Sequence, residues 1–195
     1  PFKIEMLPYK RKLPVIPHPA EITKFIAQIE DPLKKAMIYF MFLGGLRWKE
    51  VSLLRGESID WGRGIINLVD TKGQHPGICI MPAEAKDILS PVREKACYVF
   101  KNEKTGKPYG SLKTLFKSAS KRAGINRLHP HLLRHAFATY LLESTGDLRL
   151  TQTMLRHKDI TTTQFYTQIA TTRMQVGIEK MTNYIGGLDG WKNKK

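Results

Sequence analysis

Two histidines and two arginines pose the first chemical question. His131 and His135 stand four residues apart in H-P-H-L-L-R-H-A-F, residues 129–137, the spacing at which two imidazoles on one helix face can share a metal ion. The same letters can be centred on Arg134 instead, as an arginine and a histidine three apart that grip an anion. A metal hydrolase of the H-E-x-x-H type needs a glutamate after its first histidine, and Leu132 stands there. Arg134 lies among Leu132, Leu133, Ala136 and Phe137, so its charge is expected to be partly buried and to need an anion, either a structural carboxylate or a ligand. Arg47 follows M-F-L-G-G-L at the start of a helix, a place already receptive to negative charge. Two semi-buried arginines suggest one shared phosphate.

A phosphate held by two guanidinium forks has its non-bridging oxygens neutralised, which favours the extra charge of a five-coordinate transition state. Such a site still needs a nucleophile, a base and an acid for the leaving oxygen. M-L-R-H-K-D-I-T-T-T-Q-F-Y, residues 154–166, offers His157 at a helix end and Tyr166 beyond it. Tyr140, inside A-F-A-T-Y-L-L, reads as core, and Tyr184 is a more remote rival. His135 taken alone reads as a packed helix histidine bonded to a nearby carbonyl.

Lys and Arg number 32 against 17 Asp and Glu in 195 residues, a formal charge of +15. That imbalance suggests a polyanionic partner, nucleic acid ahead of an anionic membrane. The basic residues are spread along the chain, so a basic tail does not account for them. The longest apolar run, Ala36 to Leu43, is too short to span a bilayer. Cys79 and Cys97 make no metal-binding spacing, and a soluble protein of a reducing cytosol is expected.

The elements that must position these residues are mostly helical. Apolar residues recur at helical spacing after Pro19, and Asp31-Pro32 is a cap and first-turn pair for a second helix through M-I-Y-F-M-F, apolar nearly all round. Gly44-Gly45 ends it, and a short helix starts near Arg47. G-I-I-N-L-V-D and G-I-C-I-M-P read as strands of a hairpin joined by T-K-G-Q-H-P, which holds Lys72. Pro82 opens a helix, and Y-V-F at 98–100 reads as a third strand. S-L-K-T-L-F-K-S-A-S-K-R-A-G is amphipathic with lysines on one side, and everything after Pro130 reads as helical. The fold class is mostly α with a small antiparallel β-sheet (α+β).

The ordered set G-L-R-W-K-E, T-K-G, H-L-L-R-H-A-F-A-T and L-R-H followed by Tyr166 resembles the catalytic domain of the tyrosine recombinases, or phage integrases. The resemblance covers about residues 18 to 180. It implies that Arg47 and Arg134 bind the scissile phosphate and that His131 accepts and returns the tyrosine proton. Lys72 would protonate the leaving 5′ oxygen, His157 would hydrogen-bond the phosphate, and Tyr166 would be the nucleophile, giving a 3′-phosphotyrosyl link and a free 5′ hydroxyl. Glu50 and His135 would support these groups. No cofactor and no metal are implied. A type IB topoisomerase-like relaxation activity and a catalytically silent DNA-binding module are the alternatives.

Trp48, Lys49, Lys113, Lys117 and Arg156 are plausible DNA contacts. Arg156 stands where the family usually has the glycine of L-G-H, so it is expected to add a DNA contact or to alter the packing. The chain also lacks the basic residue often found before the hairpin's second strand, and has Thr167-Gln168 where many members carry a histidine. Residues 1–17, with four prolines and K-R-K, read as a linker or arm; 18–182 as the catalytic domain with its C-terminal helix; 183–195 as a basic tail. The family's N-terminal core-binding domain is expected to be absent. Met174, Ile178 and Met181 of the 171–182 helix need a groove, on a neighbouring protomer or on the same domain. The partners implied are double-stranded DNA and further copies of the chain, as a tetrameric synapse, in a cytoplasmic, nucleoid-associated protein with no membrane association.

Overall fold

The computed structural model describes residues 15–68, 77–90, 97–126, 128–156 and 168–186, with side chains from 173 onward in the last span. Lys72, His157 and Tyr166 lie outside the described residues, as do most of the expected arm and tail. The helices are α1 (Pro19–Ala27), α2 (Pro32–Phe42), α3 (Trp48–Ser52), α4 (Ala83–Leu89), α5 (Lys113–Ala123), α6 (Pro130–Thr145), α7 (Leu148–Leu155) and α8 (Gln168–Tyr184). The strands β1 (Ile59–Asp60), β2 (Ile65–Leu68) and β3 (Gly77–Ile80) form one antiparallel sheet in that order.

α2 is the centre of the core. Asp31 caps it by accepting from the Lys34 N–H at 3.1 Å, with Pro32 in the first turn. Ala36 through Phe42 are all buried, because α2 packs against both α4 and α6. Burying so many large apolar side chains at roughly 25 cal/mol per Å² makes this helix the main hydrophobic anchor of the domain. Phe40 meets Phe100 edge-on at 5.8 Å, and Phe42 meets Tyr140 at 6.5 Å.

The hairpin pairs Ile65 with Ile80 and Ile66 with Cys79. The sheet's third strand is β1, paired with β2, and not Tyr98–Phe100 as expected. That segment makes an isolated bridge from Tyr98 to Arg55, and the Val99 N–H donates to the Leu54 carbonyl at 2.8 Å. It carries the composition of a strand, but its partner is a loop. Cys79 and Cys97 are free thiols; Cys79 is buried, with its pKa pushed up to about 12 by desolvation.

Tyr140 is core, as expected: it is buried, its hydroxyl donates to the Pro17 carbonyl, and burial raises its pKa to about 12. α8 packs on α6, α7 and β3 of its own domain. Met174 and Met181 are buried there, so the groove these methionines need is supplied within the chain. A Cβ on Gly177 would come within 2.8 Å of Leu150, and its absence lets α8 approach that closely. Among the described residues, no helix is long and apolar enough to cross a membrane.

Candidate active site

The turn between α2 and α3 positions Arg47. Gly45 has φ +63°, and a Cβ on it would lie 2.4 Å from the Phe137 ring. Both the left-handed backbone and the close ring require glycine. Arg47 then sits at the N-cap of α3, where the Glu50 carboxylate accepts from the Arg47 backbone N–H at 2.6 Å and from its Nη1 at 3.1 Å. The acidic group in the first turn of α3 therefore caps the helix and holds the arginine at once. The Arg47 side chain remains 29% exposed.

Arg134 comes from α6, begun by His129, whose Nδ1 accepts from the Leu132 N–H at 3.2 Å, and by Pro130 in the first turn. Its guanidinium is buried and donates Nη1 to the Gly45 carbonyl and Nη2 to the Leu155 carbonyl. It therefore bridges the α2–α3 turn to the end of α7. A guanidinium has five N–H donors, so these two bonds leave three for another acceptor. Burial, followed by the Arg47 and Arg156 charges and opposed by Glu50, lowers the Arg134 pKa to about 9. The group is thus still cationic at pH 7.

Arg156 is where the structure departs most from a surface contact. It is the only non-glycine residue with positive φ among the described residues, at φ 52° and ψ 49°. For an L-residue that conformation costs roughly 1–2 kcal/mol relative to the right-handed one, and glycine adopts it freely. The side chain is only 3% exposed, with Nη2 2.7 Å from Glu50 Oε2 and Nη1 donating to the Met154 carbonyl at 3.1 Å. Of its two expected roles, an added DNA contact and altered packing, this placement matches packing: the guanidinium is spent inside the protein.

Glu50 is the hub, 7% exposed, with Arg156 at 2.7 Å, Arg47 at 3.1 Å and Arg134 at 3.8 Å. Three positive charges around one carboxylate leave two in excess, an arrangement that favours a bound anion. His131 is exposed at the start of the same helix. His135 is exposed as well and not packed as expected, one turn along from His131 on the same side of α6. Among the described residues, no cluster of three or more His, Cys, Asp or Glu is arranged to hold a metal ion.

Next to the arginines lies a groove of about 650 Å³, lined by Trp48, Lys113, Phe116, Lys117, Leu128 and His131 among others. Three of the five residues expected at DNA thus share a groove with His131. Lys121 extends the same row and escaped sequence reasoning, although its spacing of four from Lys117 was the available signal. Lys49 is exposed on α3. The carbonyls of Gly45 and Leu155 were also missed, since backbone acceptors leave no trace in residue types.

The chain belongs to the phage integrase family, whose pattern matches residues 18–173. It is 33% identical over 173 residues to tyrosine recombinase XerD of Ralstonia nicotianae, covering 80% of this chain and 56% of that protein. To tyrosine recombinase XerA of Pyrococcus furiosus it is 31% identical over 180 residues, covering 86% of this chain and 63% of that one. Among solved structures, the integrase from mycobacterium phage Brujita superposes with a TM-score of 0.73 at 27% identity, over 88% of this chain and 59% of the other. The chain thus spans about three fifths of the length of these relatives.

Proposed function

We propose that this chain carries the catalytic domain of a site-specific DNA recombinase that cleaves and rejoins strands through a covalent 3′-phosphotyrosyl intermediate. The observation that carries the reading is the convergence of Arg47 and Arg134 on Glu50 beside an exposed His131, with positive charge in excess. In this reading the two arginines hold the non-bridging oxygens of the scissile phosphate. The Tyr166 oxygen forms a bond to phosphorus as the bond from phosphorus to the 5′ oxygen breaks. His131 takes the tyrosine proton, Lys72 gives one to the 5′ oxygen, and His157 hydrogen-bonds the phosphate.

The phosphotyrosine conserves the bond energy, so a 5′ hydroxyl from another strand can reverse the attack and reseal the DNA without ATP. Double-stranded DNA is the substrate. Exchange between two duplexes requires more than one protomer, so the protein self-associates on DNA and works in the cytoplasm at the nucleoid. The chemistry as written uses no metal. Residues 18–182 form the catalytic unit, with a linking arm before it and a basic tail after it.

The test incubates the protein with nicked suicide DNA carrying a candidate site and resolves covalent adducts on a denaturing gel. An adduct is expected that forms in EDTA and disappears in Tyr166→Phe. An adduct that persists in Tyr166→Phe would remove the nucleophile assignment, and one that needs a divalent ion would remove the metal-free scheme. Relaxation of one duplex without exchange between two would point to a topoisomerase.

A further inference from the structure

Arg156 has a conformational cost and no surface role, yet its side chain makes the shortest side-chain contact to Glu50. Two pairs of contacts tie the end of α7 to the start of α3. Arg134 joins the Leu155 carbonyl to the Gly45 carbonyl, and Arg156 joins the Met154 carbonyl to Glu50. Without Arg156, Glu50 would meet only Arg47 and the more distant Arg134, and its negative charge would fall on the two arginines that face the phosphate.

We propose that Arg156 is a positioning residue for strand cleavage: by occupying Glu50 it fixes the orientation of Arg47 and Arg134 and leaves the cluster one positive charge richer. The inference rests on the recombinase reading above. With Arg156 the cluster carries three cations against one carboxylate; with glycine there it would carry two against one. A phosphodiester has a single negative charge and its five-coordinate transition state has about two, so the added cation stabilises the transition state more than the bound substrate. The effect therefore falls on the rate of the bound complex, and DNA affinity is nearly untouched. Arg156 also immediately precedes His157, so the clamp fixes the chain at the point from which that histidine departs.

The experiment compares wild type with Arg156→Gly, Arg156→Lys, Glu50→Gln and the double variant Arg156→Gly/Glu50→Gln, on suicide DNA across a range of concentrations. Arg156→Gly relieves the left-handed backbone, and thermal melting checks that each variant is folded. For Arg156→Gly the adduct rate at saturating DNA is expected to fall about tenfold, with the half-saturating concentration within about twofold of wild type. Arg156→Lys, which keeps the charge, is expected to recover to within about threefold, and in the Glu50→Gln background, where the clamp is gone and only the charge is lost, removing Arg156 should cost about threefold instead of tenfold.

An unchanged rate in Arg156→Gly overturns the proposal, as does a loss confined to DNA affinity, which would make Arg156 a DNA contact. A full tenfold loss persisting beside Glu50→Gln also overturns it. If wild type itself forms no adduct, the recombinase reading fails, and calorimetric titration at pH 8 with inorganic phosphate, a dianion with about the charge of the transition state, decides the clamp separately. Severalfold tighter binding by wild type than by Arg156→Gly supports the clamp, and equal binding removes it.

Discussion

The arginine cluster and the lysine groove lie side by side and use positive charge in opposite ways. Arg134 and Arg156 are each 8% exposed, and every described contact of their guanidiniums is to a carbonyl or to Glu50. Lys113, Lys117 and Lys121 are exposed over a floor that includes Phe116 and Leu128. A buried charge held by fixed acceptors keeps its direction and is barely screened by salt, so it suits the geometry of a reaction. An exposed lysine on a flexible stem is screened within a Debye length of about 8 Å at physiological salt, so it suits affinity. In the proposed recombinase reading, orientation and attraction fall to different cations.

Four experiments press on that division. Arg134→Ala is expected to lower the adduct rate at saturating DNA by about a hundredfold to a thousandfold, the usual loss for one transition-state donor. It should also reduce stability, since the Gly45 and Leu155 carbonyls lose their donor; chemical denaturation measures that part. If the rate loss vanished at high DNA concentration, Arg134 would belong with the lysines. Gly45→Ala is expected to destabilise the fold by about 2–4 kcal/mol, from the left-handed backbone and the Phe137 clash together. A destabilisation under 0.5 kcal/mol, on the order of a surface substitution, would mean that the turn is not rigid.

Lys113→Ala/Lys117→Ala tests the other side. Binding should weaken severalfold at physiological salt, and the slope of log affinity against log salt should shallow by about two phosphate contacts, roughly 1.8. Cleavage at saturating DNA should stay within about twofold of wild type; a tenfold fall would erase the distinction. The smallest effect concerns His129. Burial, then the nearby His131 and His135, lower its pKa below the ordinary 6.5. The folded state thus disfavours its protonation, and stability is expected to fall as pH drops below 6.5 toward the lowered folded value, where Nδ1 can no longer accept from Leu132. His129→Asn keeps a cap acceptor that does not titrate, and its melting temperature should fall less between pH 7 and pH 5.5 than that of wild type.

What was legible in the sequence was whatever neighbouring residues decide. The Asp31-Pro32 start of α2, its end just before Gly44-Gly45 and its all-round apolar face appear where the letters place them. Arg47 and Arg134 were singled out because each is a charge inside an apolar run, and they do lie around one carboxylate. What could not be read depends on distant partners. Tyr98–Phe100 has a strand's composition, but it lies against the Leu54–Gly56 loop. His135 has helix neighbours that suggest packing, yet nothing in its own spacing shows which side α2 occupies. Neighbouring residues left Arg156 open between a DNA contact and altered packing, because its acceptor, Glu50, is 106 residues away in the chain.

That separation has a consequence for the order in which the protein is made. α2, the Gly45 turn and Glu50 leave the ribosome long before Leu155 and Arg156 do, and the groove helix α5 emerges between them. A nascent chain that has reached the end of α5 already carries Lys113, Lys117 and Lys121, but of the three arginines around Glu50 only Arg47 has been made. The lysines of α5 are thus made before the arginine cluster can assemble, and translation arrested between residues 123 and 134 would leave a chain that holds the first set of cations and only Arg47 of the second.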